Sequence, residues 1–344
     1  MSFKVVSTCN IPFVVKNLGE RFHALEEVEF ANKPCLTEND IISNASDANA
    51  VVVGAEPYTR RVIDSLKSCR LIATPKMGYD NIDIAAATEA GICVSCVAAV
   101  STEEVSDHTM ALLLACARKV FKVDKAVRAG VWRSIHGPEM EEIWQGILPL
   151  RGQTLGLIGF GQIPRALVPK AKGFGLRVLV YDPYVPAEVT KDMGAETVGF
   201  DQLLQESDFV SVLCALTPEN RHMLGAEQFK MMKPTAYLIN TARGPLVDEK
   251  ALYASLIAGE IAGAALDVIE VEPIVLDNPL LKLDNAIITG HSGHYSDRAI
   301  ANIRHRPFED VSRILSGEWP RGWVNPEVEA KYQAKWGNPF RKVM

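Results

Sequence analysis

The chain has no apolar run near the ~20 residues that a helix needs to span a bilayer, and its best stretch, Met110–Ala117, is far shorter. It also lacks any run of more than two Lys or Arg. With 36 Lys+Arg against 42 Asp+Glu the net charge is −6, a balance that argues against non-specific binding of nucleic acid or of an anionic membrane. The N-terminal MSFKVVSTCNIPFVV does not read as a secretion signal, because Asn10, Pro12 and Lys16 break its short apolar run. Seven cysteines in such a chain predict free thiols in a reducing cytoplasm. Cys93 and Cys96 form a C-x-x-C with no second one to complement it, inside the apolar GICVSCVAAV, so they read as small buried hydrophobes. No cluster of His, Cys, Asp and Glu has metal-ligand spacing, and no metal is expected. The absence of G-x-S-x-G excludes the nucleophile elbow of the α/β-hydrolases.

What is present is an ordinary globular composition. The 344 residues, 48% apolar and 23% charged, can bury a sizeable core and suggest two domains. In the first hundred residues, FKVVST (3–8), AVVVG (50–54), LIAT (71–74) and GICV (91–94) read as strands with helical patterns between them. A second series begins at Gly152 with TLGLIG (154–159), LRVLVY (176–181), DFVSVL (208–213), AYLIN (236–240), GAALDV (263–268) and AIITG (286–290). Alternating β and α elements predict parallel sheets covered by helices on both faces, an α/β fold. From Ser101 to Gly130 the pattern predicts one long helix, residues 131–150 read as an irregular loop, and the tail after Gly317 reads as surface coil.

Gly159-Phe160-Gly161-Gln162-Ile163-Pro164 follows a predicted strand, opens a predicted helix, and precedes a strand that ends in Asp182. That is the context of a dinucleotide fingerprint: Gly159 for the tight turn, Gly161 for close approach of the pyrophosphate, and the helix N-terminus for its charge. Asp182, 21 residues after Gly161, can bind the ribose hydroxyls and repel a 2′-phosphate, and no Arg follows within DPYVPA, so NAD is expected rather than NADP. Pro164 stands where the third glycine is usual, and it is expected to alter how closely the helix approaches the strand.

Three segments carry polar residues just past apolar strands: INTARGPLVDE (239–249), ALDVIEVEP (265–273) and ITGHSGHYS (288–296). In an open α/β sheet such strand ends line the ligand crevice, which makes Arg243, Glu272 and His291 candidates to meet there. These segments, with GFGQIPRAL and MGYDNID (77–83), resemble the D-isomer-specific 2-hydroxyacid dehydrogenases, of the phosphoglycerate dehydrogenase-like kind, along nearly the whole chain.

The resemblance implies two Rossmann-like or flavodoxin-like parallel-sheet domains with a cleft between them: a discontinuous substrate domain of residues 1–102 with 297–344, and an NAD domain of residues 103–296. It implies a homodimer and NAD-dependent hydride transfer between a (R)-2-hydroxy acid and a 2-keto acid. By its pattern Arg243 would clamp the substrate carboxylate, His291 would exchange the proton, and Glu272 would fix the His291 tautomer. Lys76, Met77, Gly78 and His294 would contact substrate. Gln162, Ile163, Cys214, Thr241, Ala242, Asp267 and His291 would join Gly159, Gly161 and Asp182 at the cofactor. STEEVSDHTMALLLACAR, the 131–150 segment and HSGHYS resemble the C-terminal-binding-protein branch, which implies an alternative: an NAD(H)-sensing corepressor-like protein with secondary catalysis. His108, within the first of these segments, is assigned no role of its own and reads as a helix or surface histidine. Lys76 stands where many relatives carry a small residue, and His294 where that branch carries tryptophan; if both point inward the pocket gains one cation and a possible second near neutral pH, suiting a substrate with a distal polar or anionic group, and otherwise Lys76 reaches solvent and His294 packs against the cleft.

Overall fold

The computed structural model describes residues 2–10, 19–23, 28–97, 99–131 and 137–337. The chain divides into two compact units, residues 1–100 with 296–344 and residues 101–295.

The first unit carries a parallel five-stranded sheet of β1 (Phe3–Ser7), β2 (Val28–Asn32), β3 (Ala50–Val52), β4 (Leu71–Ala73) and β5 (Cys93–Ser95), in the order β2-β1-β3-β4-β5. Every residue of β3, β4 and β5 is buried, as strands covered on both faces must be. The period of two divides them between two cores: Val6, Val51, Ile72 and Val94 enter one, and Val5, Val52, Leu71 and Cys93 the other. Short polar side chains start the helices. Thr37 and Asp40 form a capping box before Glu38–Ala45, Asp83 accepts from the Ala86 N–H, and Ser296 accepts from the Ala299 N–H to open Asp297–Leu315.

The second unit carries a parallel seven-stranded sheet of β6 (Thr154–Ile158), β7 (Arg177–Tyr181), β8 (Glu196–Thr197), β9 (Phe209–Val212), β10 (Tyr237–Asn240), β11 (Gly263–Leu266) and β12 (Ala286–Ile288). Its order is β12-β11-β10-β9-β6-β7-β8. The chain runs outward from β6 to β8, then returns to β9 on the other side of β6, so the switch point lies between β6 and β9. Ligands of such sheets bind past the strand C-termini at that point.

Three expectations are corrected. The long helix is two helices, Thr102–Ala117 and Val120–Arg128, broken where Lys119 adopts a left-handed φ of 49°. Within 131–150, residues 132–136 lie outside the described residues, and Pro138–Trp144 is a helix with Pro138 in its first turn, where its missing N–H costs nothing. The tail is not surface coil as far as residue 337. Trp319 stacks on Trp323 with ring centroids 4.2 Å apart, Tyr332 is buried against Trp319, and Asn325 bonds the Val94 N–H and the Ile92 carbonyl. Large aromatic surface drives this burial in spite of the surrounding charge. Residues 338–344 lie outside the described residues. Strands β2 and β8 have no counterpart in the sequence reading: β2 buries only Val28 and so shows no apolar run, and β8 is two exposed residues.

Candidate active site

The turn after β6 forms around Gly159, whose φ of 97° is left-handed and whose added Cβ would strike the Cys214 backbone at 2.8 Å. Only glycine permits that conformation and that approach together. Gly161 then caps the helix Gln162–Gly173, and a Cβ there would meet nothing within 4 Å. Open space at a helix N-terminus beside free N–H groups fits a pyrophosphate. Pro164 is buried as the third residue of the helix, among the positions whose N–H has no intrahelical partner. Asp182 follows β7 and points back to this turn: its Oδ2 accepts from the Phe160 N–H at 2.7 Å and its Oδ1 from the Tyr184 N–H at 2.9 Å. Each oxygen keeps acceptor capacity for a ribose hydroxyl. Burial pushes the Cys214 thiol up to about 11, which leaves it neutral beside the turn.

Past β10, Asn240 organises the next segment. Its amide donates to the Arg243 carbonyl at 2.9 Å and its oxygen accepts from the Ala242 N–H at 3.0 Å. Thr241 is buried, with its hydroxyl 2.8 Å from that of Thr109. The half-buried Arg243 donates to the Ala242 carbonyl at 2.7 Å. Gly244 packs so closely on the Ile269–Glu270 peptide that no Cβ fits. That contact draws the Arg243 turn against the segment carrying Glu272.

His291 Nδ1 lies 2.7 Å from Glu272 Oε2. Burial raises the Glu272 pKa, but the His291 bond and charge, the Ile269 N–H and the Arg243 charge outweigh it and hold this carboxyl below its ordinary range. An ionised Glu272 only accepts, so His291 Nδ1 carries the proton and Nε2 is the ring nitrogen left to accept one. His291 occupies left-handed backbone, φ 54°. Its N–H donates to the Asp267 carbonyl at 2.8 Å. The Asp267 carboxylate is buried and accepts from the Thr289 hydroxyl at 2.5 Å and from the Ser292 and Gly293 N–H groups at 2.9 Å each.

The second unit thus brings together Arg243, Glu272, Asp267 and His291 past β10–β12, and Gly159, Gly161 and Asp182 past β6–β7. His294 sits edge-on to His291 with centroids 5.9 Å apart. Burial, then the His291 charge, push its pKa below the ordinary imidazole range against the pull of Asp267. Both effects disfavour a charged His294. On the first unit Lys76 donates to Asn81 Oδ1 at 3.1 Å, and the Asn81 amide donates to the Glu56 carbonyl at 2.7 Å. The Glu56 carboxylate is buried, taking the Gly54 N–H at 2.9 Å and the Thr8 hydroxyl at 2.5 Å. Glu56 and His108 are two further hydrogen-bonded side chains that the sequence reading left outside the candidate site. An acid just past the apolar run AVVVG is the same strand-end signal that marks Arg243. His108 sits mid-helix with no such signal. Among the described residues no group of His, Cys, Asp and Glu could hold a metal ion, and no helix is long and apolar enough to cross a membrane.

Residues 110–293, more than half of the chain, match the model of the D-isomer specific 2-hydroxyacid dehydrogenase, NAD binding domain. A glyoxylate reductase of Korarchaeum cryptofilum (strain OPF8) is 42% identical over 289 residues, covering 84% of this chain and 86% of the relative. A crystal structure of a glyoxylate reductase from Paecilomyes thermophila superposes with a TM-score of 0.81 at 29% identity, covering 95% of this chain and 99% of that one. A D-lactate dehydrogenase of Aquifex aeolicus, solved with NAD and lactic acid, gives a TM-score of 0.78 at 29% identity, covering 92% of this chain and 96% of that one. All three are oxidoreductases by name, and nothing in them favours the corepressor alternative. Family match and site geometry agree: the chain belongs to the D-isomer specific 2-hydroxyacid dehydrogenases and is an NAD-dependent oxidoreductase that interconverts 2-hydroxy and 2-keto acids.

Proposed function

We propose that this enzyme reduces a small 2-keto acid of the glyoxylate class, with Arg243, Glu272 and His291 as its catalytic residues. The observation that carries the reading is the His291–Glu272 pair at 2.7 Å beside Arg243. The relatives named glyoxylate reductase support the substrate class. When bound, NADH supplies the hydride. Arg243 binds the substrate carboxylate with its planar fork. His291 gives the proton from Nε2 to the substrate oxygen as the alcohol forms, and takes it back in oxidation. Glu272 accepts from Nδ1 throughout, so the imidazolium is stabilised while it lasts.

Gly159, Gly161, Gln162, Ile163, Asp182, Cys214, Thr241, Ala242 and Asp267 are the proposed cofactor residues. Lys76, Met77, Gly78 and His294 are the proposed substrate contacts. We also propose a homodimer and, from seven free cysteines of which six are buried, a reducing compartment such as the cytoplasm.

The test is NADH oxidation against a panel of 2-keto acids, in wild type and His291→Gln. Turnover of glyoxylate with a loss in kcat of ~10²–10⁴-fold in the variant is expected, the usual worth of positioned proton transfer. A variant changed in KM alone would make His291 a binding residue and remove the proposed role.

A further inference from the structure

His108 is given no role by the sequence reading, yet its ring is built into the loop that carries His291. It projects from the helix Thr102–Ala117, three-quarters buried, with Nε2 3.0 Å from Thr289 Oγ1 and 3.3 Å from Asp267 Oδ1. Proton accounting fixes the direction of these bonds. Thr289 has one hydroxyl proton, and it is given to Asp267 Oδ1 at 2.5 Å. Thr289 can therefore only accept from the imidazole, and an ionised Asp267 can only accept as well. His108 Nε2 must carry a proton and donate it.

We propose that His108 is a positioning residue for the reaction: its N–H, given to the Thr289–Asp267 pair, locks the loop 289–293 in the one conformation that presents His291 to Glu272. This rests on the reading of His291 as the proton-transfer residue. The loop has a reason to need a lock, since left-handed backbone crowds the Cβ of a non-glycine residue against the following carbonyl, and His291 is such a residue. Three groups of Asp267 oppose that crowding. Its carbonyl takes the His291 N–H, Oδ1 takes the Ser292 N–H, and Oδ2 takes the Gly293 N–H. The loop also rests directly on the ring: a Cβ added to Gly293 would meet His108 Cδ2 at 3.1 Å and Asp267 Oδ2 at 2.9 Å. Burial works to raise the Asp267 pKa, but the bonds from His108, Thr289, Gly293 and Ser292 hold it well below the ordinary carboxyl range. The acceptor that organises the loop is thus kept ionised partly by His108.

The experiment measures kcat, KM for glyoxylate, NADH affinity by fluorescence and Tm in His108→Leu, His108→Gln, Thr289→Val and the His108→Leu/Thr289→Val double variant. His291→Gln serves as the control. His108→Leu should lower kcat about 10- to 100-fold, the scale of a catalytic group displaced by an ångström or less, with KM and NADH affinity within about threefold. His108→Gln, which keeps an N–H at similar reach, should recover most of the loss. The double variant should be no worse than the poorer single one, as members of one network behave. Should His108→Leu fail to fold, His108→Gln and Thr289→Val carry the same comparison. A wild-type kcat in His108→Leu, or a loss confined to KM, overturns the proposal, as does a His108→Gln enzyme no better than His108→Leu. If His291→Gln itself turns over normally, the reading of His291 fails and takes the proposal with it. An inactive His291→Gln beside a fully active His108→Leu removes His108 alone.

Discussion

At Arg243 the chemistry asked of the side chain depends on its shape as much as its charge. A guanidinium presents a rigid planar fork that matches a carboxylate at two points, whereas an ammonium meets it at one. Arg243 also holds its own turn by donating to the Ala242 carbonyl, and it adds positive charge beside Glu272. Arg243→Lys keeps that charge and loses the fork. Its kcat/KM should fall at least tenfold, about 1.4 kcal/mol, in steady-state assays with glyoxylate. An unchanged value would place the substrate carboxylate elsewhere. His294 argues the same point about local environment. The sequence offers it as a possible second cation, whereas burial, and then the His291 charge, disfavour the charged form.

The elements explain why so much of this site is legible without coordinates. Parallel strands buried on both faces show as short apolar runs, and the residues just after them must lie at the sheet's C-terminal edge. INTARG, ALDV and ITGH follow that rule, so β10, β11 and β12 deliver Arg243, Asp267 and His291 to one edge. What no run of residues shows is pairing between elements distant in sequence. His108 meets Thr289 across 181 positions, and nothing in SDHTMALLL marks the histidine as anything but helical. The break at Lys119 was hidden for a related reason: a lysine in left-handed backbone has no signature, where a glycine would have. Close approach of two loops is equally silent until the missing Cβ is placed. Gly244→Ala would force its methyl group into the Ile269–Glu270 peptide and part the Arg243 turn from the Glu272 segment. Overpacking of this kind costs about 1–3 kcal/mol of stability. The variant should show a lower Tm together with a kcat/KM loss at least as large as that of Arg243→Lys. A stable, fully active Gly244→Ala would show that the two loops tolerate separation.

Two properties belong to the molecule as a whole, acid stability and assembly. Asp267 ionises more readily in the folded chain than an exposed carboxyl does, because four donors outweigh its burial. Its contribution to stability is therefore complete above the unfolded value of ~3.9 and drains away as the pH falls below it toward the folded value. Asp267→Asn should be less stable than wild type at pH 7, and its urea midpoint should fall less steeply between about pH 5 and pH 3. Parallel slopes would show that other carboxylates carry the acid limb. The helix Val120–Arg128 bears on assembly. It buries only Ala126, while Val120, Phe121 and Val127 stay 50%, 56% and 39% exposed. Val120 and Val127, seven residues apart, lie on one stripe of that helix, with Phe121 beside it. Trp144 and Leu148 follow in the next segment, 39% and 59% exposed. Several large exposed apolar side chains lie along this part of the chain, and we propose that they form a face that is covered on assembly. A second copy is the occupant proposed, since the same face on both subunits satisfies two-fold symmetry without further design. Sedimentation of wild type should give two chains. Phe121→Asp with Val127→Asp should give one, by placing unpaired charge where apolar surface is buried. A wild type that sediments as a single chain at assay concentration would remove the homodimer. A variant that remains dimeric would move the interface off this helix.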